Sequence, residues 1–325
     1  MQSRKFYLDT ESRSFVASAN STLPASSPTF FQSDVESIEL YFLTRNAGGD
    51  PVYSYADYSA NTIKFAVGTT TPAALQITWS AISTGLTVSV TSLTNGGTGS
   101  NEVQKITLSK VPASGGFAIV MPARNVTVSS VSANVFTAAN HGLFDGQSVT
   151  ITGFSFTGSS VANGGSYFII NRTGDTFSLA STSTATTGAT AAVTSGGGTV
   201  TLPEITTPSL NFDASATEVQ QAFIDAGFSI GGAAQIAVTG TAGKEYTLNF
   251  AGGCQRINYD PVSIAANTLA AAPGMSANVD FNVSGITALV AAGTTSVTME
   301  VEVSDGTKKH TYQASALLSD DLIPA

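Results

Sequence analysis

The sequence predicts a mainly β protein: several small sandwich or barrel modules, nested by insertion, with one short helix packed on a sheet. Three observations predict it. Short stretches of alternating apolar and polar residues recur along most of the 325 residues, the period of a strand with one buried face. Turn formers punctuate these stretches, 31 glycines and 11 prolines among them. Apolar residues at helical spacing occur in a single segment.

The elements follow in order. Residues 36–44 (ESIELYFLT) alternate Ile38, Leu40 and Phe42 with Glu39, Tyr41 and Leu43, a half-buried strand. A polar, tyrosine-rich loop follows, then short alternating strands at 62–68 (TIKFAVG), 75–79 (LQITW) and 85–93 (GLTVSVTSL). NGGTGS at 95–100 is a turn or loop, and 102–108 (EVQKITL) and 116–121 (GFAIVM) add two strands. From Arg124 the texture changes. Residues 125–200 are almost free of Lys and Glu and hold strand candidates at 126–131, 148–152, 167–171, 176–180 and 199–202, which suits a small barrel or sandwich module.

The helix is expected over 213–226 (DASATEVQQAFIDA). Asp213 or Ser215 can cap it, Ser215 and Glu218 have capping-box spacing, and Gly227 can end it. Val219, Ala222, Phe223 and Ala226 form the apolar stripe, with Gln220, Gln221 and Asp225 on the other side. Strands at 235–238 and 245–250 come next. At the C-terminus, Val297, Met299, Val301 and Val303 alternate with polar residues up to Asp305-Gly306, read as a two-residue type I′ turn before a return strand over 307–314.

Charge and composition exclude several function classes. Asp and Glu outnumber Lys and Arg by 22 to 13, the wrong sign for a surface that must neutralise phosphates. Cys254 is the only cysteine, so neither an intrachain disulfide nor a Cys-based zinc site is open to the chain. His141 and His310 cannot build a three-histidine metal centre, and no cofactor is expected. No apolar run reaches the roughly 18–20 residues of a membrane helix, so membrane insertion is not expected. The opening residues MQSRKFYLDTESRSF lack the apolar stretch of a secretory signal, which implies synthesis in a reducing cytoplasm.

Candidate chemistry is sparse. Nucleophile-elbow, phosphate-loop and zinc-helix motifs are missing from the sequence. Glu300 and Glu302 share a strand face and could be weighed as a glycosidase pair, but a solvated face opposite Val and Met is the simpler reading. His141 is read as a turn histidine bonded to local backbone, and Cys254 as a small buried hydrophobe. Tyr53, Tyr55 and Tyr58 form a candidate interaction surface for a protein neighbour or a host surface glycan, and Asp320 and Asp321 a second one. No catalytic or metal-binding residue is assigned, and the chain is expected not to be an enzyme.

Three stretches resemble modules of tailed-bacteriophage tail proteins. ITTPSLNFDASATEVQQAFIDAG with QIAVTGTAGKEYTLNFAGG is similar to a phage module in which a strand, an Asp-Ala-Ser-Ala helix and two strands follow one another. Asp213, Ala214, Ser215, Ala216, Val219, Gln220, Ala222, Val238, Thr239, Gly240, Tyr246, Thr247 and Phe250 carry the match. VFTAANHGLFDGQSVTITG with GGSYFIINRTGDTFSLA resembles a small β-module with a His-Gly-Leu-x-x-Gly opening. It is matched by His141, Gly142, Leu143, Gly146, Val149, Ile151, Gly153, Tyr167, Thr176, Phe177 and Leu179, with Gln147 where that module has Asp. The two ends, FYLDTESRSF…DVESIELYFLTR and VTMEVEVSDGTKKHTYQASALLSDDLI, resemble the body of upper-baseplate or fibre-attachment proteins.

The resemblance implies a non-enzymatic virion structural protein of a phage tail tip, a baseplate or tail-fibre-adaptor subunit that holds its neighbours and serves host attachment. It would be assembled in the host cytoplasm. Its partners would be other tail proteins and further copies of itself in a trimeric or hexameric ring, without nucleic acid. A capsid decoration or head-fibre protein, or a host-receptor binding module, are the alternatives. The order of the modules implies a sandwich of 1–100 with 256–325, an α+β module of 101–123 with 203–255, and an inserted small barrel or Ig-like module at 124–202.

Overall fold

The computed structural model describes residues 3–19, 21–31, 35–47, 53–68, 73–74, 77–97, 99–185, 187–189, 193–195, 197–230, 232–281 and 296–319. These are mainly β, with one α-helix among them. The chain divides into two compact units, Met1–Gly85 with Ala271–Ala325, and Leu86–Ala270.

The division therefore falls at 85 and 271, not at the 100 and 256 read from the sequence. The physical reason lies in two sets of pairings. Strand Val88–Thr94 pairs antiparallel with Val103–Leu108 and so belongs with the second unit. Residues beyond 256 are tied to that unit by Gln104, a buried amide satisfied at both ends. Its Nε2 donates to the carbonyls of Tyr259 and Asp260, both at 3.2 Å, and its Oε1 accepts from Val262 N–H at 2.9 Å. Strand Ser263–Ala265 then pairs with Gly116–Met121.

The first unit is a sandwich of two sheets that combine strands from both ends of the chain. One runs in the order 21–24, 14–18, 3–9, 35–45, 275–280, 80–81, with Tyr53–Ala56 pairing the far end of Val35–Arg45; the other runs 29–31, 309–319, 296–304, 62–68, 73–74. Alternation decides which side chains meet between them. Leu8, Ile38, Leu40, Phe42 and Val279 come from one sheet, and Phe65, Val67, Met299, Val301, Val303 and Tyr312 from the other. Phe30 stacks on Phe281 at 4.5 Å and meets Phe65 edge-on at 6.4 Å. Each such side chain contributes about 1.5–3 kcal/mol by leaving water.

Two expectations in this unit are corrected. Residues 75–76 lie outside the described residues, and 77–79 are not a strand; a short strand occupies Ser80–Ala81 instead. The C-terminal hairpin pairs Ser304 with Lys309, so the loop is 305–308 rather than two residues. Only Gly306 has positive φ, +91°. The Asp305 carboxylate organises the loop by accepting from Thr307 N–H at 2.8 Å and Lys308 N–H at 2.7 Å, bonds that a type I′ turn has no room for. These bonds hold its pKa at about 2. A two-residue shift preserves the face of every side chain, which is why the apolar alternation read from the sequence still reaches the core.

A buried carboxylate pins the outer side of the sandwich. Asp9, at the end of strand Ser3–Asp9, is fully buried. It accepts from Glu11 N–H at 2.9 Å, Ser12 N–H at 3.2 Å, Ser12 Oγ at 2.7 Å, Arg45 at 2.7 Å and Tyr53 Oη at 3.0 Å. Burial alone would raise its pKa; the bonds from Ser12, Arg45 and Glu11 outweigh it and hold it at about 2.

The second unit holds the helix and the inserted module. Strands run 88–94, 103–108, 245–250, 236–241 in one sheet, and Gly116–Met121 pairs with segments at 205–206, 210–211 and 263–265. The helix spans Ala216–Asp225, three residues shorter at its start than the 213–226 expected, because Ser215 and not Asp213 is the cap. Ser215 Oγ accepts from Glu218 N–H at 3.2 Å while Glu218 Oε2 accepts from Ser215 N–H at 2.7 Å. Asp213 is exposed. At the other end Gly227 takes φ +87°, and the N–H groups of Gly227 and Phe228 return to the carbonyls of Ile224 and Phe223, a Schellman closure. Val219, Ala222 and Phe223 are the buried stripe.

The inserted module rolls up as a seven-stranded sheet in the order 124–128, 198–202, 148–152, 166–170, 176–180, 135–137, 130–132. The two ends of that order are consecutive pieces of one chain segment, joined through Ser129, so the sheet curls back on its own first strand. Its core of Val126, Phe136, Leu143, Val149, Ile151, Ile169, Phe177, Leu179 and Val200 is distinct from the core beneath the helix.

Replacing Asp9 by Ala is expected to destabilise the first unit by about 1–3 kcal/mol, the cost of stranding buried donors. Because the folded carboxyl sits at about 2, below an ordinary value of about 3.9, its contribution is complete above about pH 4 and fades as pH falls toward 2. Urea titrations at neutral and acid pH should show that slope in the wild type and lose it in Asp9→Ala.

Candidate functional site

The residues singled out by their pattern gather most densely in one turn of the inserted module. Asn140 and Gly142 have φ of +49° and +59°, and Gly146 +85°; this backbone turns through conformations that side chains with a Cβ resist. His141 is buried inside the turn. Its Nδ1 accepts from Leu143 N–H at 3.0 Å, which places the ring proton on Nε2, 3.3 Å from the Thr176 carbonyl. The ring meets Phe177 edge-on at 5.1 Å. Burial lowers its basicity below the ordinary value, and Arg124 and Arg172 push the same way against the Thr176 bond and Asp175. The imidazole thus holds one local bond, from Leu143, and one long-range bond, to Thr176 thirty-five positions on.

The turn reaches two cores at once. Leu143 enters the core of the roll, while Phe144, next in the chain, belongs to the core beneath the helix. Phe144 meets Phe228 edge-on at 5.4 Å, Phe228 meets Tyr259 at 6.4 Å, and Tyr259 stacks on Phe250 at 4.7 Å. Arg124, at the entry to the module, lies over the Tyr259 ring at 5.2 Å and donates to the His141 carbonyl at 2.7 Å. A Cβ on Gly142 would stand 2.2 Å from Cγ1 of Ile257. Gln147, where the resembled module carries Asp, turns its Oε1 to Phe144 N–H at 3.3 Å.

The other resemblance positions also prove to touch one another. Tyr246 Oη donates to the Ala214 carbonyl at 2.6 Å, and Gln220 Oε1 accepts from Val238 N–H at 3.1 Å. Gln220 thus reaches the sheet, although helical spacing put it on the solvent side. Gly240 has φ +143°, and a Cβ there would stand 2.1 Å from the Glu245 carbonyl.

The three tyrosines have different surroundings. Tyr53 is buried on Asp9, and Tyr58 stacks on Phe42 at 4.5 Å. Tyr55 instead joins Tyr7 and Tyr41, which sequence spacing overlooked: Tyr7 stacks on Tyr41 at 5.5 Å and Tyr41 meets Tyr55 at 5.8 Å. The parallel pairing of Ser3–Asp9 with Val35–Arg45 puts Tyr7 beside Tyr41, a long-range register that no local pattern encodes. Asp320 and Asp321 lie outside the described residues.

The carboxylates weighed for chemistry are tied to other side chains. Glu302 pairs with Lys64 at 3.2 Å and Lys309 at 3.5 Å, and Lys64 holds its carboxyl down, the opposite of what a general acid needs. Glu300 accepts from Gln313 at 2.7 Å. Cys254 is buried, and burial pushes its thiol up to about 12, leaving no thiolate at neutral pH. Among the described residues, no group of three or more His, Cys, Asp or Glu could hold a metal ion. Clefts open on the second unit among the described residues. One of about 120 Å³ beside the histidine turn is bordered by Arg172 and Arg256, and one of about 390 Å³ by Gln147 and Gly227 has Glu204 as its single ionisable side chain.

No protein-family model matches the chain, and neither a curated protein nor a solved structure does.

Gly142→Ala is expected to cost roughly 1–2 kcal/mol for the left-handed backbone and about 1–3 kcal/mol for the collision with Ile257. In an Ile257→Ala background the same substitution should cost only the first part, which a four-variant denaturation cycle measures. A second expectation concerns pH. His141 binds a proton less readily folded than unfolded, so its stabilisation is complete above about pH 6.5 and declines as pH falls below that. Melting temperatures of the wild type should drop over this range, and those of His141→Asn, lower throughout, should not follow.

Proposed function

We propose that the protein is a non-enzymatic structural subunit of a phage tail tip, a baseplate or tail-fibre-adaptor component that holds neighbouring subunits in fixed orientation. The observation that carries this reading is the character of the residues shared with phage modules. His141, Gly142, Gln220, Gly240 and Tyr246 all serve backbone bonds or close packing, so what the sequence shares with those modules is a way of building rigid β-structure. A subunit whose work is shape and contact needs that and no reactive centre.

The arrangement of the second unit fits the same role. A roll with its own core is inserted into an α+β module and fastened there by Phe144 and Arg124, which lets one chain present two β-surfaces without a hinge between them. The partners in this reading are other tail proteins and further copies of the chain.

The test is the particle itself. Virions encoded by the genome that carries this sequence should contain the polypeptide by mass spectrometry, and gold-labelled antibodies should mark the tail tip in electron micrographs. Label on the capsid would replace the reading with a decoration protein, and absence from purified particles would end both.

A further inference from the structure

The four-stranded sheet of the second unit has two edges, and they are finished differently. On the Ile236–Thr241 edge, the outward N–H of Val238 is taken by Gln220 of the helix. The opposite edge, Val88–Thr94, pairs with Val103–Leu108 on one side and, among the described residues, with no strand on the other.

The direction of its unpaired groups follows from the register. Ser109 N–H donates to the Thr87 carbonyl at 3.0 Å, so Thr87, and with it Ser89 and Thr91, turn their backbone groups inward. Leu108 N–H points the other way, to the Lys244 carbonyl at 2.9 Å. Val88, Val90 and Ser92 therefore aim their N–H and C=O groups off the sheet. Natural edges of this kind are usually blunted by charge or proline. This one reads VSVTSLT, lies within a stretch from 65 to 101 that contains no charged residue, and belongs to a chain of net charge −9. Ser89, Thr91 and Ser92 are exposed, as is Leu93 at 56%. A bulge interrupts the ladder only past Ser92.

We propose that this edge is a self-association surface, on which the Val88–Thr94 strands of two copies pair antiparallel about a two-fold axis at Val90 and join their sheets into one. In that register Val90 faces Val90, Val88 faces Ser92, and Ser89 faces Thr91, so every outward group finds its complement. A second copy is the occupant the charge distribution favours. A symmetric contact sets a patch against itself, and this neutral segment brings no like charges together, while it offers a charged partner nothing to pair with. The inference does not rest on the virion reading.

The experiment is sedimentation velocity on the full chain across a concentration series, with four proteins. Wild type should dimerise. S89K/T91K and S89E/T91E, altered only at exposed side chains, should each be monomeric, since like charges then stand directly opposite; mixed in equal amounts they should recover the dimer. Val90→Pro, which removes an N–H that the chain's own sheet does not use, should be monomeric with an unchanged circular dichroism spectrum. A wild type that stays monomeric throughout, charged variants that associate as the wild type does, or a mixture that fails to pair would overturn the proposal.

Discussion

Leu143 and Phe144 are neighbours in sequence and inhabit different cores, and the second unit is organised around that divergence. Because the two adjacent side chains belong to different cores, one short segment at the seam helps fill both interiors. The segment must be placed accurately, which is the work of the turn before it: two residues in left-handed backbone, a buried imidazole bonded through both nitrogens, and a glycine lying against Ile257. Withdrawing a ring such as Phe144 from a filled core costs about 3–5 kcal/mol, a large share of the 5–15 kcal/mol that keeps a typical domain folded.

The same economy runs through the rest of the molecule. With charged residues at only 11% of the chain, irregular segments are fastened by a few buried polar groups with many partners each. Asp9 gathers a turn, a strand end and a tyrosine; Gln104 gathers the segment 259–262; Gln235 accepts from Gly253 N–H at 2.7 Å and donates to the Ala233 carbonyl at 2.8 Å. Fully satisfied networks of this kind specify one arrangement, because any other leaves a polar group without a partner in a low-dielectric interior.

How legible this was in the sequence depended on range. Strands 62–68, 116–121, 148–152, 176–180 and 245–250 stand where alternation put them, and the capping box and Gly227 delimit the helix as local chemistry requires. The mainly β class followed from those. The unit boundaries did not, because Gln104 binds residues more than 150 positions away, and no local pattern records such a bond. The separate surroundings of the three tyrosines were hidden for a related reason. Tyr53, Tyr55 and Tyr58 are close in sequence, but strand pairing sends Tyr53 to Asp9 and Tyr58 to Phe42 and gives Tyr55 two neighbours from other strands. Phe144 left one signal, a second large apolar residue directly after Leu143 in a segment otherwise built as a turn.

Arg124 and Leu202 face each other across the first rung of the inserted roll. Its point of departure from the host module and its point of return are therefore separated by a single interstrand spacing, about 5 Å, a gap that a tight hairpin loop could span. Geometrically the roll is a cassette, open to gain, loss or exchange without displacing the strands on either side. Energetically it is less portable. Any replacement inherits a vacancy shaped for an aromatic ring beside Phe228, and a lineage that discarded the roll would have to refill that hole from the host's own residues.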